Sequence, residues 1–130
     1  MEKVVRNTIT AEILDACIEV HKNLGPGLLE STYEACLLKE FELRGIKAEG
    51  QIRLPIIYKD LILDQNYVID ILVEDEFILE LKSVETIMPI HKAQLITYLK
   101  LANKRLGFLI NFNSPLLKNG FHRIIQGYDK

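Results

Sequence analysis

The 130-residue chain has only two cysteines, Cys17 and Cys36. Both fall in apolar stretches with helical periodicity, and neither belongs to a CxxC or Cys/His spacing. A disulfide framework is therefore excluded, and the pair reads as small hydrophobic side chains. The three histidines, His21, His91 and His122, are scattered, which argues against a zinc site. No apolar run is long enough to span a bilayer. The opening "MEKVVRNTIT" has no apolar segment of the secretory kind. The expectation is one soluble cytoplasmic domain over residues 1–130, with no membrane partner. A hydrophobic share of 48% is enough to build a core. Repeats, low-complexity tracts and linkers are also missing.

An overall surplus of positive charge is absent too, since the net charge is −2. Its distribution is uneven. Residues 1–85 carry 9 Lys and Arg against 17 Asp and Glu, a net −8. Residues 86–130 carry 7 against 1, a net +6. Two readings are open: a basic C-terminal third that contacts phosphates, or a solvated basic face that offsets an acidic one.

What is present is a change of hydrophobic period along the chain. "TAEILDACIEVHKNL" (10–24) has helical spacing, with Thr10 as the expected N-cap and "GPG" as the stop. A second helix is expected over 28–44, ended by Gly45. From 46 to 83 the pattern is that of strands: 46–58, containing Pro55, then 61–73, then 77–83. "EDE" (74–76) reads as a tight hairpin loop. A third helix is expected over 89–103 with Pro89 in its first turn. A buried strand follows at 105–112, and a short one at 121–127. The order predicts a mixed α/β domain.

The stretch "VIDILVEDEFILELKS" (68–83) poses the chemical question, because Asp70, Glu80 and Lys82 interrupt an otherwise apolar run. With a three-residue loop, Val73 pairs with Phe77 and Asp70 lies opposite Glu80. Lys82 then shares their face, while Ile69, Ile71, Val73, Leu79 and Leu81 point the other way. Facing carboxylates repel. A hard divalent cation, Mg²⁺ or Mn²⁺, would relieve the repulsion. Lys82 would then stabilise a hydroxide or developing phosphate charge. The other reading is a wet strand face on which Lys82 pairs with one acid. Helix spacing adds Glu30 and Tyr33, three apart, and His91, Gln94 and Tyr98 on one stripe. These either converge on the strand acids or are ordinary core and surface residues.

Asp70, followed after nine residues by Glu80-Leu81-Lys82, resembles the D…(D/E)xK signature of the PD-(D/E)XK nuclease superfamily. "GLLESTY" (27–33) resembles the motif that names the GxxExxY protein family, a prokaryotic group within it. "GFLINFNSPLLKNGFHRI" is similar to that family's C-terminal pattern, so the resemblance covers about residues 8–126. It implies a PD-(D/E)XK nuclease-like fold: an antiparallel meander plus a further strand, flanked by helices, here with an extra N-terminal helix. It also implies metal-dependent phosphodiester hydrolysis of nucleic acid, with DNA favoured over RNA. Asp70 and Glu80 would be metal ligands assisted by Glu30, and Lys82 would position the attacking water. Gln94 and Tyr98 resemble a QxxxY motif that contacts substrate, and Tyr33 is placed with them. The residue before the signature acid is Ile69 rather than proline. The basic stretch from Lys92 through Lys104, Arg105, Lys118 and Arg123 would hold the backbone. The alternative is a catalytically silent module of the same fold, binding nucleic acid or a partner protein or assembling as a homo-oligomer.

Overall fold

The computed structural model describes residues 1–127; Asp129 and Lys130 of the basic C-terminal stretch lie outside the described residues. Helix α1 spans Lys3–Leu24 and α2 spans Glu30–Leu43. Strands β1 (Ala48–Arg53), β2 (Ile56–Tyr58), β3 (Leu61–Leu63), β4 (Val68–Val73) and β5 (Phe77–Lys82) follow. Then come α3 (Pro89–Ala102), β6 (Leu106–Asn111), a 3₁₀ turn (Leu117–Gly120) and β7 (Phe121–Ile125).

The main sheet has the order β1-β4-β5-β6-β7. β1, β4 and β5 form an antiparallel meander, β6 runs parallel to β5, and β7 is antiparallel to β6. A parallel pair requires a long crossover, and α3 supplies it. One core lies between the sheet and α1 and α2, where Ile13, Cys17, Leu37 and Phe41 meet Ile71, Leu79, Phe108 and Phe112. A second lies under α3, where Leu95, Tyr98 and Leu99 meet Leu72, Ile78 and Leu109. Both faces of β5 and β6 are covered, which is why "FILEL" and "LGFLIN" read as nearly continuous apolar runs. Cys17 is fully buried and burial pushes its thiol pKa up; Cys36 is half-buried, and both are free.

Three boundaries differ from the sequence reading. Helix α1 begins at Lys3, and Thr10 is interior rather than an N-cap; its hydroxyl donates back to the Asn7 carbonyl at 2.9 Å. No proline or glycine interrupts residues 3–10, so the helix simply continues. The stretch 46–58 is two strands, because Pro55 lacks the N–H a central strand needs. The stretch 61–73 is likewise two strands: β2 leaves the main sheet and pairs with β3 as a separate hairpin, and β4 rejoins the main sheet at Val68. That hairpin exposes Ile57, Tyr58 and Ile62.

The predicted loop at 74–76 is as expected: Val73 pairs with Phe77, with Glu74 and Asp75 both at positive φ. Its acids are used locally. Glu74 accepts the Lys47 N–H at 2.7 Å, and the Lys104 ammonium donates to the Asp75 carbonyl at 2.8 Å. Arg44 fastens α2 to α1, reaching Glu12 at 2.7 Å and Asp15 at 2.9 Å while holding Glu40 at 2.8 Å.

Gly120 has no room for a side chain. A Cβ there would stand 2.5 Å from both the Asn111 carbonyl oxygen and the Ser114 hydroxyl. Gly120→Ala is therefore expected to cost about 1–3 kcal/mol of unfolding free energy in a denaturant titration. An unchanged midpoint would show that this turn relaxes freely.

Candidate active site

The β4–β5 ladder runs in register from Val73↔Phe77 to Ile71↔Leu79. One step further, carboxylates replace carbonyls as acceptors. The Asp70 N–H donates to Glu80 Oε2 at 3.0 Å, and the Leu81 N–H donates to Asp70 Oδ2 at 2.8 Å. The two acids are thus crossed over the strand pair, each holding a backbone amide beside the other. Asp70 is half-buried and Glu80 only 5% exposed. Burial first, and then the Asp70 charge, push the Glu80 carboxyl up to about 8. Burial likewise raises Asp70, partly offset by its bond to Leu81 and by the positive charge of Lys82, with Glu30 adding a further upward push. Lys82 is half-buried and acts on both acids through its field; none of the ion pairs among the described residues includes it.

The expected facing is corrected at one residue. Ile71, Val73, Leu79 and Leu81 do pack together against α1 and α2, but Ile69 packs under α3 with Leu72. Alternation therefore breaks at Asp70. Opposite it in β1 stands Gln51, whose φ is +53°, and the pairing resumes at Ile52↔Ile69. This irregularity lets Asp70 sense groups from both layers. It is electrostatically coupled to Glu30 and Glu34 of α2 and to Tyr98 of α3.

Glu30 is the first residue of α2, and its Oε2 accepts the Ser83 N–H at 3.0 Å. The Ser83 hydroxyl donates to the Leu28 carbonyl at 2.7 Å, so the start of α2 is tied to the segment just after Lys82. Glu34, one turn along α2, accepts from Gln51 at 2.7 Å. Its carboxyl is raised by burial and, more weakly, by Asp70, against the lowering bond from Gln51. Glu34 was not among the sequence candidates, although its spacing of four from Glu30 is a readable signal. Asn111 was also missed. It pairs with Lys82 across the parallel β5–β6 ladder, and its amide binds both backbone groups of Val84.

On α3, Gln94 Nε2 donates to the Tyr98 hydroxyl at 3.2 Å. Burial raises the Tyr98 phenol, as do the charges of Glu80, Tyr67 and Asp70. Both residues line a groove of about 240 Å³ together with Ile56, Tyr67, Ile90 and Leu101. His91 does not join them: its Nδ1 accepts the Met88 N–H at 2.9 Å and caps α3. Tyr33 is not brought to the acids as a contact group either. It is fully enclosed, stacks on Phe112 at 4.5 Å, donates to the Gly25 carbonyl and accepts the Leu28 N–H at 3.1 Å. A side chain with no exposure does not touch a substrate; Tyr33 fixes the "GPGL" loop that launches α2.

The basic residues of the C-terminal third are spread from α3 through β6 to β7. Lys92 lies on α3 near His122, Lys104 is held by Asp75 at 3.6 Å, and Arg105 and Arg123 line a pocket with the start of α1.

As a donor set, Asp70, Glu80 and Glu30 suit a hard cation. Each spends one oxygen on a backbone amide, and the second oxygen of each makes no hydrogen bond among the described residues. No preformed group of three His, Cys, Asp or Glu ligands is found among the described residues, so binding would have to draw those oxygens together.

A mixed sheet with two acids crossed at the end of a meander hairpin, a lysine two residues on, and flanking helices is a nuclease-type arrangement. The family comparison agrees: the model of the PD-(D/E)XK nuclease superfamily matches residues 7–124, and the chain belongs to that superfamily. Comparison with curated proteins found no match, and comparison with solved structures found none. No helix among the described residues is long and apolar enough to cross a membrane.

Proposed function

We propose that this protein hydrolyses phosphodiester bonds of nucleic acid at the Asp70–Glu80–Lys82 cluster. The observation that carries this reading is the crossed pair of carboxylates, Glu80 buried and Asp70 half-buried, both raised, with a cation's field beside them. Members of the superfamily generally depend on a divalent metal. Here Asp70 and Glu80, assisted by Glu30, would hold Mg²⁺ or Mn²⁺, which supplies charge neutralisation at the phosphate and a more acidic bound water. Lys82 places its positive charge where a hydroxide or a phosphorane-like oxygen would develop negative charge. Gln94 and Tyr98 offer an amide and a phenol in the adjoining groove and orient the substrate there. The same reading takes residues 1–130 as one cytoplasmic domain of the GxxExxY group, with DNA favoured over RNA.

The test is cleavage of labelled single- and double-stranded DNA, RNA and branched duplexes in Mg²⁺ or Mn²⁺. Asp70→Ala and Glu80→Ala are expected to lose cleavage while staying folded, and Lys82→Ala to fall by about 10²–10³-fold. The competing reading is a silent nucleic-acid-binding module of the same fold. Wild type and Glu80→Ala behaving alike would select it and discard the first.

A further inference from the structure

The groove beside the carboxylate cluster is lined by apolar surface that the two cores do not use. Along α3, Ile90, Ala93, Thr97 and Leu101 recur every three to four residues and form one stripe. The stripe faces outward: Ile90 is 69% exposed and Leu101 41%. Ile56 of β2 and Tyr67, the residue before β4, complete the lining with Gln94 and Tyr98. The rings of Tyr67 and Tyr98 meet edge to face, 6.4 Å apart at 75°, and Tyr67 remains 38% exposed. Apolar surface gathered around a groove in this way marks a binding site.

The chemistry of the lining narrows the occupant. None of the eight lining residues is charged. A phosphate or an ionised side chain would lose its water there without gaining an ion partner. The volume, about 240 Å³, is below the ~300–1,000 Å³ of a pocket for a whole drug-sized ligand, so it suits one flat ring system. Gln94, Thr97 and Tyr98 supply donors and acceptors for the edge of such a ring, and Tyr67 supplies an aromatic face. Apolar faces with a hydrogen-bonding edge describe a nucleobase. The position agrees, because Tyr98 lies in the groove and also within the fields of Glu80 and Asp70. Tyr67 stands three residues from Asp70, about 10 Å at strand spacing. A base inside a duplex has its faces covered by its neighbours and offers only its edges. It enters a groove of this kind only when unpaired or turned out of the stack.

We propose that this groove seats one unpaired base of the substrate strand, stacked on Tyr67, so that the protein selects single-stranded or frayed nucleic acid. The proposal rests on reading Asp70, Glu80 and Lys82 as the phosphodiester site, and it adds the substrate class to that reading.

The experiment measures binding apart from cleavage. Fluorescence anisotropy of end-labelled oligonucleotides, in chelator and again in Ca²⁺, compares a single strand, its blunt duplex, and an equally long strand of abasic residues. Wild type is expected to bind the single strand about tenfold more tightly than either of the others. Tyr67→Leu keeps apolar contact with Tyr98 but removes the aromatic face. It is expected to bind the normal strand as weakly as wild type binds the abasic one, while Tyr67→Phe retains wild-type affinity. Tyr58→Leu alters an exposed tyrosine outside the groove and is expected to match wild type. The abasic comparison needs no variant, so it decides the matter even if Tyr67→Leu unfolds. Equal binding of normal and abasic strands, a preference for duplex, or no binding of any strand overturns the proposal. A single strand held equally well by Tyr67→Leu also overturns it and leaves the groove to a second copy of the chain. The two readings fail separately: base-dependent binding without cleavage keeps the groove and sinks hydrolysis, whereas cleavage of duplex without any preference for single strand does the reverse.

Discussion

Glu80→Gln is expected to make the metal-free protein more stable above pH 8 and to flatten its stability–pH profile. Folded, Glu80 keeps its proton up to about 8; its ordinary value is 4.5. Between those values the folded chain binds more protons than the unfolded chain, so its stability falls as pH rises. The contribution is fully present below 4.5 and is gone above about 8. One group contributes at most about 1.4 kcal/mol per pH unit, so the whole loss is on the order of a few kcal/mol. Asp70 is raised as well and acts with the same sign. Glutamine carries no charge and keeps an oxygen to accept the Asp70 N–H, so it removes the loss without breaking the crossed pair. Thermal melts with a chelator, from about pH 5 to about pH 9, measure this. A profile that is the same in wild type and variant would mean that Glu80 is ionised throughout. In the proposed site a divalent ion would replace the proton, so adding one is expected to restore wild-type stability at high pH and leave the variant unmoved.

The register behind this argument was legible because it is local. A three-residue loop at "EDE" fixes which residues face each other, and alternation then places Glu80 opposite Asp70. The face of Ile69 was not legible. The break in alternation depends on Gln51, nineteen positions away and brought opposite Asp70 only by sheet pairing. The hairpin β2–β3 is half legible: Pro55 lacks the N–H of a central strand, but periodicity does not say that a strand leaves its sheet. Tyr33 misled because its motif spacing is real while its hydroxyl is consumed by the loop before it. Sequence spacing identifies a helix stripe and not which partner the stripe meets. Glu34 shows the converse, an acid at readable spacing whose part depends on Gln51 and Asp70.

Asn111→Ala is expected to destabilise the protein by about 3 kcal/mol and to weaken divalent binding in the molecules that remain folded. Asn111 is 4% exposed, and its role could not be read from "LINFN" because parallel pairing with β5 creates it. Its Oδ1 accepts the Val84 N–H at 3.1 Å and the Asn113 N–H at 3.2 Å, and its Nδ2 donates to the Val84 carbonyl at 2.9 Å. Removing the amide leaves three backbone groups without those partners. The segment from Lys82 to Val84 then keeps only the Phe112 N–H bond to the Lys82 carbonyl, its ladder pairing, and the bonds of Ser83 to Glu30 and Leu28. Lys82 and Glu30 both depend on that segment for position, so Asn111 acts on the site through them. Groups that orient metal ligands from behind typically change affinity by about 10–100-fold, and the lower end is expected here. Metal titration well below the unfolding midpoint separates the two effects. Lost stability with unaltered metal affinity would leave Asn111 as a fold residue, whereas a weakened site in a folded variant establishes that β6, which carries none of the three acids, sets their geometry.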